Sequence, residues 1–597
     1  MFAWKTDKIE KYRSKGRIAA ALIASAVGGA LTGVCSLTIA TGSQPRAMFD
    51  SYFTNPWILA LNLAVPVVLA LFFTLLTNRA WIAWLLTNLV VMLPTVVSFF
   101  KVEFRGDPLC AEDLTLVTES KKMLETYKLF WDDRFGFYLA ILAVGTLALA
   151  LFFRGRFRRA APRLIAALVL AIACAAASPL YTSAEIYDVK TSNTALINPY
   201  SENDQFISKG FVYPFLHTIK DAFHPAPDGY DADGAKAALD AYTDEEIPAD
   251  KRVNVVAVML EAYNDFSRFE NLHFVRDVYG KYRELEAMGY AGTLMTDVFA
   301  GDTRVSEREF LTGLPYARID KFVAPSNSYV WYFRENGYHT TGSHPCYAWF
   351  YNRRNINKNL GFAEYLFSEN YFAERTWNDI TYDAAYFPML YELYESRDRS
   401  VPYFSYNITY QGHGPYEADN PYYTEPYVEN GGWSEASQTI LNNYLNAQAE
   451  TTAMLYDFAT QMLATDEPVV LVFFGDHKPW MGNGDSVYHE LGINIDRSTD
   501  EGFRNYYSTR YLILANDAAK RVTGSDFRGE GETISASFLM NKVFELCGWR
   551  GSAYMQFTTA QMQKTPVVHR SFDLRSDDYR LYDDVTYYYR KNFVYES

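Results

Sequence analysis

The sequence predicts a five-helix transmembrane anchor followed by an α/β domain outside the cell, ending in a small antiparallel sheet appendage. Three observations carry this expectation. Five uncharged apolar stretches crowd the first 184 residues, short β-branched runs alternate with helical stretches after residue 250, and all nine histidines lie beyond residue 200. A chain of 597 residues is also too long for one hydrophobic core, so at least two units are expected.

Residues 1–17 carry Lys5, Lys8, Lys11, Arg13, Lys15 and Arg17 against Asp7 and Glu10, and Ile18–Ala40 then contains no charge. A bilayer needs about 20 apolar residues, so this stretch can span it. A cleaved signal peptide would have a shorter apolar region with no further spans behind it. Four more spans are expected at Pro56–Thr77, Ala80–Phe100, Phe135–Phe153 and Leu164–Ala184, giving a transmembrane domain over 1–184.

Basic residues collect in the N-terminal segment, at Arg79, and in the loop containing Arg154, Arg156, Arg158, Arg159 and Arg163. The excess of Lys and Arg marks that side as cytoplasmic. Five spans then put everything after about residue 185 outside, in a multi-pass protein of the cell membrane. No Asp, Glu, Lys or Arg interrupts the spans, which disfavours a transporter, whose pathway uses such groups. Between the third and fourth spans, apolar residues at helical spacing suggest an interfacial helix near 113–131, with Phe130 and Trp131 at headgroup depth. A loop helix packed on the outer domain is the other reading.

Residues 185–250 are rich in Pro, Asn, Asp and Gly and read as a linker; 251–597 form the outer domain. Its strands are expected at Val253–Leu260, Tyr403–Tyr410, Val469–Phe474 and Tyr511–Ala515, in a sheet covered on both faces. The appendage is expected over Val567–Phe593, where Tyr, Val, Arg and Asp mix with turn signals. The net charge of -15 argues against a nucleic-acid partner, which needs a basic surface. Five scattered cysteines without C-x-x-C spacing indicate neither a disulfide framework nor a structural zinc site.

Two of the buried strands end in chemistry. Pro468–His477, PVVLVFFGDH, delivers Asp476 and His477 at its carboxyl end, and VNVVAVML delivers Glu261. Ligands at such strand ends inherit a stiff backbone and face the crevice where open α/β sheets bind. Read singly, Asp476 would be a cap, His477 a surface residue and Glu261 the start of a helix. Thr303, on a Gly-Asp turn before the helical stretch SEREFL, would by itself be a helix cap. Near a metal or base the same hydroxyl becomes a nucleophile, beside a helix N-terminus that favours phosphate.

Taken together, Glu261, G-D-T-R-V-S-E-R-E-F-L-T-G around Thr303, H-P-C-Y-A-W-F-Y-N-R from His344, Q-G-H-G-P-Y around His413 and F-G-D-H at 474–477 resemble the lipoteichoic acid synthase and phosphoglycerol transferase family, within the alkaline phosphatase and sulfatase superfamily. The five-span anchor and K-x-x-F-R-G-D-P-L from Lys101 fit as well, so the resemblance covers most of the chain. It implies a sulfatase-like α/β sandwich in which Glu261, Thr303, Asp476 and His477 hold one divalent cation, Mn2+ or Mg2+, with Thr303 also the nucleophile. His344, Tyr351, Arg353 and His413 would contact substrate, the planar fork of Arg353 gripping phosphate oxygens. His413 has a second reading as a turn residue.

The activity implied is transfer of glycerol phosphate from phosphatidylglycerol, a membrane lipid, to a polyol-phosphate chain or a glycan through a phosphothreonine. Two positions depart from the family: Cys346 stands where an Asp is expected, and Tyr351 where a Trp is. The lost acid removes an acceptor for headgroup hydroxyls. A sulfatase would need C/S-x-P-x-R, which Thr303-Arg304-Val305 lacks. A phosphoethanolamine transferase would carry a histidine-richer zinc site and paired outer cysteines. Phosphodiester hydrolysis stays open because water can replace the acceptor. A catalytically silent binding protein is disfavoured by the intact nucleophile and ligand set.

Overall fold

The computed structural model describes residues 2–42, 46–105, 107–116, 130–193, 201–219, 226–319, 322–421 and 425–593. The chain divides into two units, residues 1–225 with Trp349–Asn352, and the remainder.

Among the described residues of the first unit, five helices are long and apolar enough to cross a membrane: Lys15–Ala40, Pro56–Thr77, Ala80–Glu103, Asp133–Phe152 and Ala160–Tyr181. The first three pack tightly because small residues let backbones approach. A Cβ on Gly29 would meet the Pro66 carbonyl oxygen at 2.5 Å, and one on Gly33 would meet the Leu63 side chain at 2.5 Å. Hydroxyl pairs bridge the same helices, Ser36 to Thr95 at 2.9 Å and Thr74 to Ser25 at 2.8 Å. The last two helices leave Leu147, Phe152, Leu168 and Ile172 exposed, as lipid-facing surfaces are. The interfacial helix expected near 113–131 lies mostly outside the described residues; Ala111–Leu116 forms a 3-10 turn, and Trp131 is exposed.

Among the described residues of the linker expected over 185–250, three stretches are α-helical. Glu202–Ser208 and Val212–His217 are helices in the first unit, fixed by Asn62, whose Nδ2 donates to the Lys209 carbonyl at 2.7 Å while its Oδ1 accepts from the Tyr213 N–H at 3.1 Å. Ala232–Asp240 is a helix of the second unit. Apolar residues such as Phe206, Ile207 and Phe211 are buried here, so composition alone misjudged a packed segment as a tether.

The second unit is built on a nine-stranded sheet: β1 Asn254–Leu260, β2 Tyr290–Met295, β3 His339–Ser343, β4 Glu364–Leu366, β5 Tyr403–Ile408, β6 Val469–Gly475, β7 Ser508–Ala515, β8 Gly529–Glu530 and β9 Ile534–Ser535. The spatial order is β4-β3-β5-β1-β6-β7-β2-β8, with β9 also pairing β2. Among these pairings β7 is antiparallel to both neighbours and the rest are parallel. Strand alternation sends Val255, Ala257 and Met259 into one core and Val256, Val258 and Leu260 into another, so both faces are covered.

The C-terminal tail corrects the expected antiparallel appendage. Its described part ends in a helix, Arg580–Lys591, whose Tyr582, Val585, Thr586 and Tyr589 recur at helical spacing; the first three are buried, and Tyr589 stacks on Tyr554 at 3.7 Å. A tyrosine-rich stretch reads as strand by propensity, and the 3.6-residue period overrides it.

On the other face, Asp383 begins the helix Asp383–Ser396 and is wholly buried. Its Oδ2 accepts from Thr451 Oγ1 at 2.6 Å, its Oδ1 has no hydrogen-bond partner, and burial pushes its carboxyl up to about 7. The folded protein therefore holds this proton more tightly than the unfolded chain. The contribution is full below about pH 4 and is lost as pH rises through about 7, by roughly 2–4 kcal/mol in total. Asp383→Asn is expected to flatten this dependence, gaining stability over wild type at pH 8 relative to pH 5 in urea melts; parallel curves would refute it.

Candidate active site

β1 and β6 run parallel and adjacent, with Leu260 opposite Gly475. One residue further each strand ends in a carboxylate, which sets Glu261 beside Asp476. Asp476 is wholly buried: Oδ1 accepts from the N–H groups of Ala262 and His477, both at 2.8 Å, and Oδ2 has no hydrogen-bond partner. His477 Nδ1 faces the Lys478 carbonyl at 2.8 Å, so Nδ1 carries the proton and the Nε2 lone pair turns to the acids. Nε2 lies 3.2 Å from Asp476 Oδ2 and 3.5 Å from Glu261 Oε1.

Thr303 precedes the helix Arg304–Thr312, yet its hydroxyl makes no capping bond. Oγ1 instead lies 3.3 Å from Glu261 Oε2 and 3.4 Å from His477 Nε2. The approach to it is strained: Ala300, Gly301 and Asp302 all have positive φ, at 59°, 142° and 62°. Such backbone costs roughly 1 kcal/mol or more at a non-glycine residue and persists only where its surroundings enforce it. Here the Ala300 N–H donates to the Lys478 carbonyl at 3.0 Å, and Ser306 Oγ donates to the Asp476 carbonyl at 2.7 Å. Both bonds tie the Thr303 turn to the end of β6.

Ligand atoms of Glu261, Asp476 and His477 all fall within 4.8 Å of one another, and all three residues are buried. Burial, and next the charge of Asp476, push the Glu261 carboxyl up to about 8. Two carboxylates in a dry site repel, and a divalent cation relieves that repulsion while satisfying the orphaned Asp476 Oδ2. The mixed oxygen and single-imidazole donor set fits one such ion.

A second ring of groups adjoins the first. Arg353 Nε donates to Glu307 Oε2 at 2.9 Å, with both side chains only 3% exposed. Arg353 Nη1 lies 3.3 Å from His344 Nδ1; a guanidinium can only donate, so His344 carries its own proton on Nε2. Burial first, and Arg353 next, hold His344 well below its usual range, which keeps it neutral. His413 Nδ1 donates to the Gly414 carbonyl at 2.5 Å, leaving Nε2 as the unprotonated nitrogen, and burial lowers its affinity for a second proton.

Residues 253–548 match the Sulfatase family. This part of the chain is similar to sulfatase domains. A putative cyclic beta-1,2-glucan modification protein of Rhizobium meliloti (strain 1021) is 27% identical over 377 residues, covering 60% of this chain and 55% of that protein. The chain thus spans just over half the length of that relative. Among solved structures, the Streptococcus pyogenes phosphoglycerol transferase GacH in complex with sn-glycerol-1-phosphate is 18% identical, with a TM-score of 0.47, over 61% of this chain and 93% of that one. The lipooligosaccharide phosphoethanolamine transferase A (EptA) from Neisseria meningitidis is 15% identical, with a TM-score of 0.38, over 86% and 95%.

The domain thus brings together seven of the eight residues expected at the site: Glu261, Thr303, Asp476 and His477 in one cluster, His344 and Arg353 beside Glu307, and His413, which feels the charges of Asp476 and Arg353. The eighth, Tyr351, lies in the Phe350–Asn352 turn with a φ of 52°, in the short segment grouped with the first unit. Cys346 is buried and its thiol is pushed up to about 11, so an uncharged group occupies the position where an acid is expected.

Sequence reasoning overlooked Glu307 and Lys478. Glu307 sits four residues after Thr303 on the same helix, a spacing that puts both on one face. Lys478 adjoins the motif itself; its Nζ donates to Asn264 Oδ1 at 2.9 Å, and Asn264 Nδ2 in turn donates to the His477 carbonyl at 2.7 Å. Burial pulls the Lys478 amine down to about 7.

The Arg353 fork predicts a sharp substitution effect. Arg353→Lys keeps the charge but cannot hold Glu307 and His344 at once, so kcat/KM for a phosphodiester donor is expected to fall at least about ten-fold. Arg353→Ala should also cost about 3–5 kcal/mol of stability by leaving Glu307 buried and unpaired. Wild-type kinetics in the lysine variant would show that the fork grips nothing.

Proposed function

We propose that this protein is a membrane-anchored phosphoglycerol transferase that moves glycerol phosphate from phosphatidylglycerol to a glycan or glycerol-phosphate acceptor through a phosphothreonine at Thr303. The observation that carries the reading is the Thr303 hydroxyl, turned away from its own helix toward Glu261 and His477 at 3.3 and 3.4 Å. Glu261, Thr303, Asp476 and His477 would hold Mn2+ or Mg2+, which would make the hydroxyl more acidic and offset charge on the phosphoryl oxygens.

Thr303 Oγ forms a bond to phosphorus as the bond to diacylglycerol breaks, and diacylglycerol departs with the proton that Thr303 gives up. An acceptor hydroxyl then bonds to phosphorus, the Thr303 ester breaks, and the acceptor's proton returns to Thr303. His413, with Nε2 as its unprotonated nitrogen, serves as the relay in both halves. Arg353 and the Nε2–H of neutral His344 donate to the phosphoryl oxygens.

The five apolar helices support a lipid donor, because an anchor confines the enzyme to the plane that holds it. The arginine-rich loop at 154–163 supports an outward-facing sulfatase-like domain. The glucan named for the Rhizobium meliloti relative supports the glycan arm of the acceptor. Incubating the full chain with headgroup-labelled phosphatidylglycerol and Mn2+ tests the reading: label should pass into the protein and then into acceptor. Label found only in free glycerol phosphate would make the protein a hydrolase, and turnover confined to labelled phosphatidylethanolamine would make it a phosphoethanolamine transferase.

A further inference from the structure

If His413 relays the acceptor's proton, the acceptor hydroxyl comes to that ring, and His413 adjoins aromatic rings that the donor half-reaction does not use. Tyr410 stacks on His413 with centroids 4.8 Å apart and planes 4° from parallel. Tyr382 stands edge-on to Tyr410 at 6.5 Å and is itself 54% exposed. Trp377 is 91% exposed in the same turn, whose ends are joined by a Thr376–Thr381 hydroxyl pair at 3.2 Å and anchored by the Thr381 N–H on the Pro345 carbonyl at 3.1 Å.

Single exposed aromatics are ordinary, but Tyr382, exposed at one end and joined through Tyr410 to a site histidine, is not core packing, and Trp377 stands uncovered in the same turn. Trp377 is also held at a φ of 58°, where a bulky residue is strained and glycine or asparagine would be at ease. A tryptophan that is both strained and unburied contributes nothing to folding that a smaller residue would not. Its ring is therefore available to a ligand.

Charge decides which ligand. Between Ser368 and Tyr382 the chain carries Glu369, Glu374 and Asp379 against Arg375 alone, and the Arg375 guanidinium is laid over the Tyr371 ring at 3.7 Å. That surround repels a glycerol-phosphate chain and an anionic bilayer surface alike, and is indifferent to a neutral polyol. A sugar ring presents an apolar C–H face to an aromatic plane and hydroxyls to polar neighbours, here the exposed Asn378 and Asp379.

Resting on the transferase reading above, we propose that Trp377 and Tyr382 form the acceptor subsite, and that the acceptor is a neutral glycan stacked there with one hydroxyl directed to His413. The test uses the full chain in phosphatidylglycerol vesicles with Mn2+, a short oligomer of glucose as acceptor, and diacylglycerol release followed separately from transfer. Trp377→Ala and Tyr382→Ala are each expected to raise the acceptor KM about ten-fold with the donor KM unmoved, and Trp377→Phe, which keeps a ring, to stay within about three-fold of wild type. The glucose oligomer should quench tryptophan fluorescence in wild type and not in Trp377→Phe.

An unchanged acceptor KM in both alanine variants overturns the proposal, as does a glycerol-phosphate oligomer that outcompetes the glucose oligomer. Loss of vesicle binding in Trp377→Ala with acceptor kinetics intact would assign the ring to the membrane instead. A wild-type protein that turns over no donor would defeat the transferase reading, while the fluorescence titration would still decide the subsite.

Discussion

Replacing Thr303 with alanine is expected to abolish transfer, by about 10⁴-fold or more in kcat, while leaving the fold nearly untouched. The asymmetry comes from where the hydroxyl points. It makes no capping bond to its helix, so its removal costs the backbone nothing there, and its partners are the Glu261 carboxylate and the His477 ring. Alanine also drops the Cγ2 methyl at this buried position, a loss of about 1 kcal/mol that leaves the fold intact. Thermal melts should shift by no more than a few degrees, and labelled donor should leave no label on the protein. A Thr303→Ala variant that still becomes labelled would place the nucleophile elsewhere and undo the assignment.

Removing the cation should be nearly as damaging. Exhaustive chelation is expected to lower activity by about 10³-fold, and Mn2+ near 100 times its dissociation constant should add about 2.7 kcal/mol to stability. For a domain of this size that is a rise of several degrees in melting temperature. Asp476→Asn should lose both responses together, because Asp476 is the wholly buried member of the proposed ligand set and its Oδ2 has no hydrogen-bond partner. Its Oδ1 bonds to Ala262 and His477 are retained by asparagine, which makes the variant a test of the ion rather than of the loop. Chelation that changed neither activity nor melting temperature would show that the acids hold no functional metal.

The strands that carry the site were legible because they are buried on both faces, and continuous β-branched runs such as Val253–Leu260 and Val469–Phe474 have few other uses. The six-residue β2, the five-residue β3, the three-residue β4 and the two-residue β8 and β9 were not anticipated, since runs this short or this rich in Gly, Thr and Ser carry too little apolar pattern to separate them from loop. The tail misled for the opposite reason: strong strand propensity in its tyrosines concealed a helical period that only packing rewards. At the site, Glu261, Asp476 and His477 announced themselves by following apolar runs, whereas Glu307 lay inside a quoted motif and was passed over. Nothing in one sequence says which of two nearby acids will meet an arginine.

Composition and order along the chain determined the spans, the existence of a covered α/β sheet, and the residue types available for metal and phosphate chemistry, because each follows from hydrophobic period and from what a side chain can ligate. Tertiary structure alone decided which of those groups meet. Strand register sets Glu261 beside Asp476, a strained turn aims the Thr303 hydroxyl at them, and burial turns a pair of ordinary acids into one that calls for a cation. These are properties of distance and dielectric, and neither is written locally in the chain.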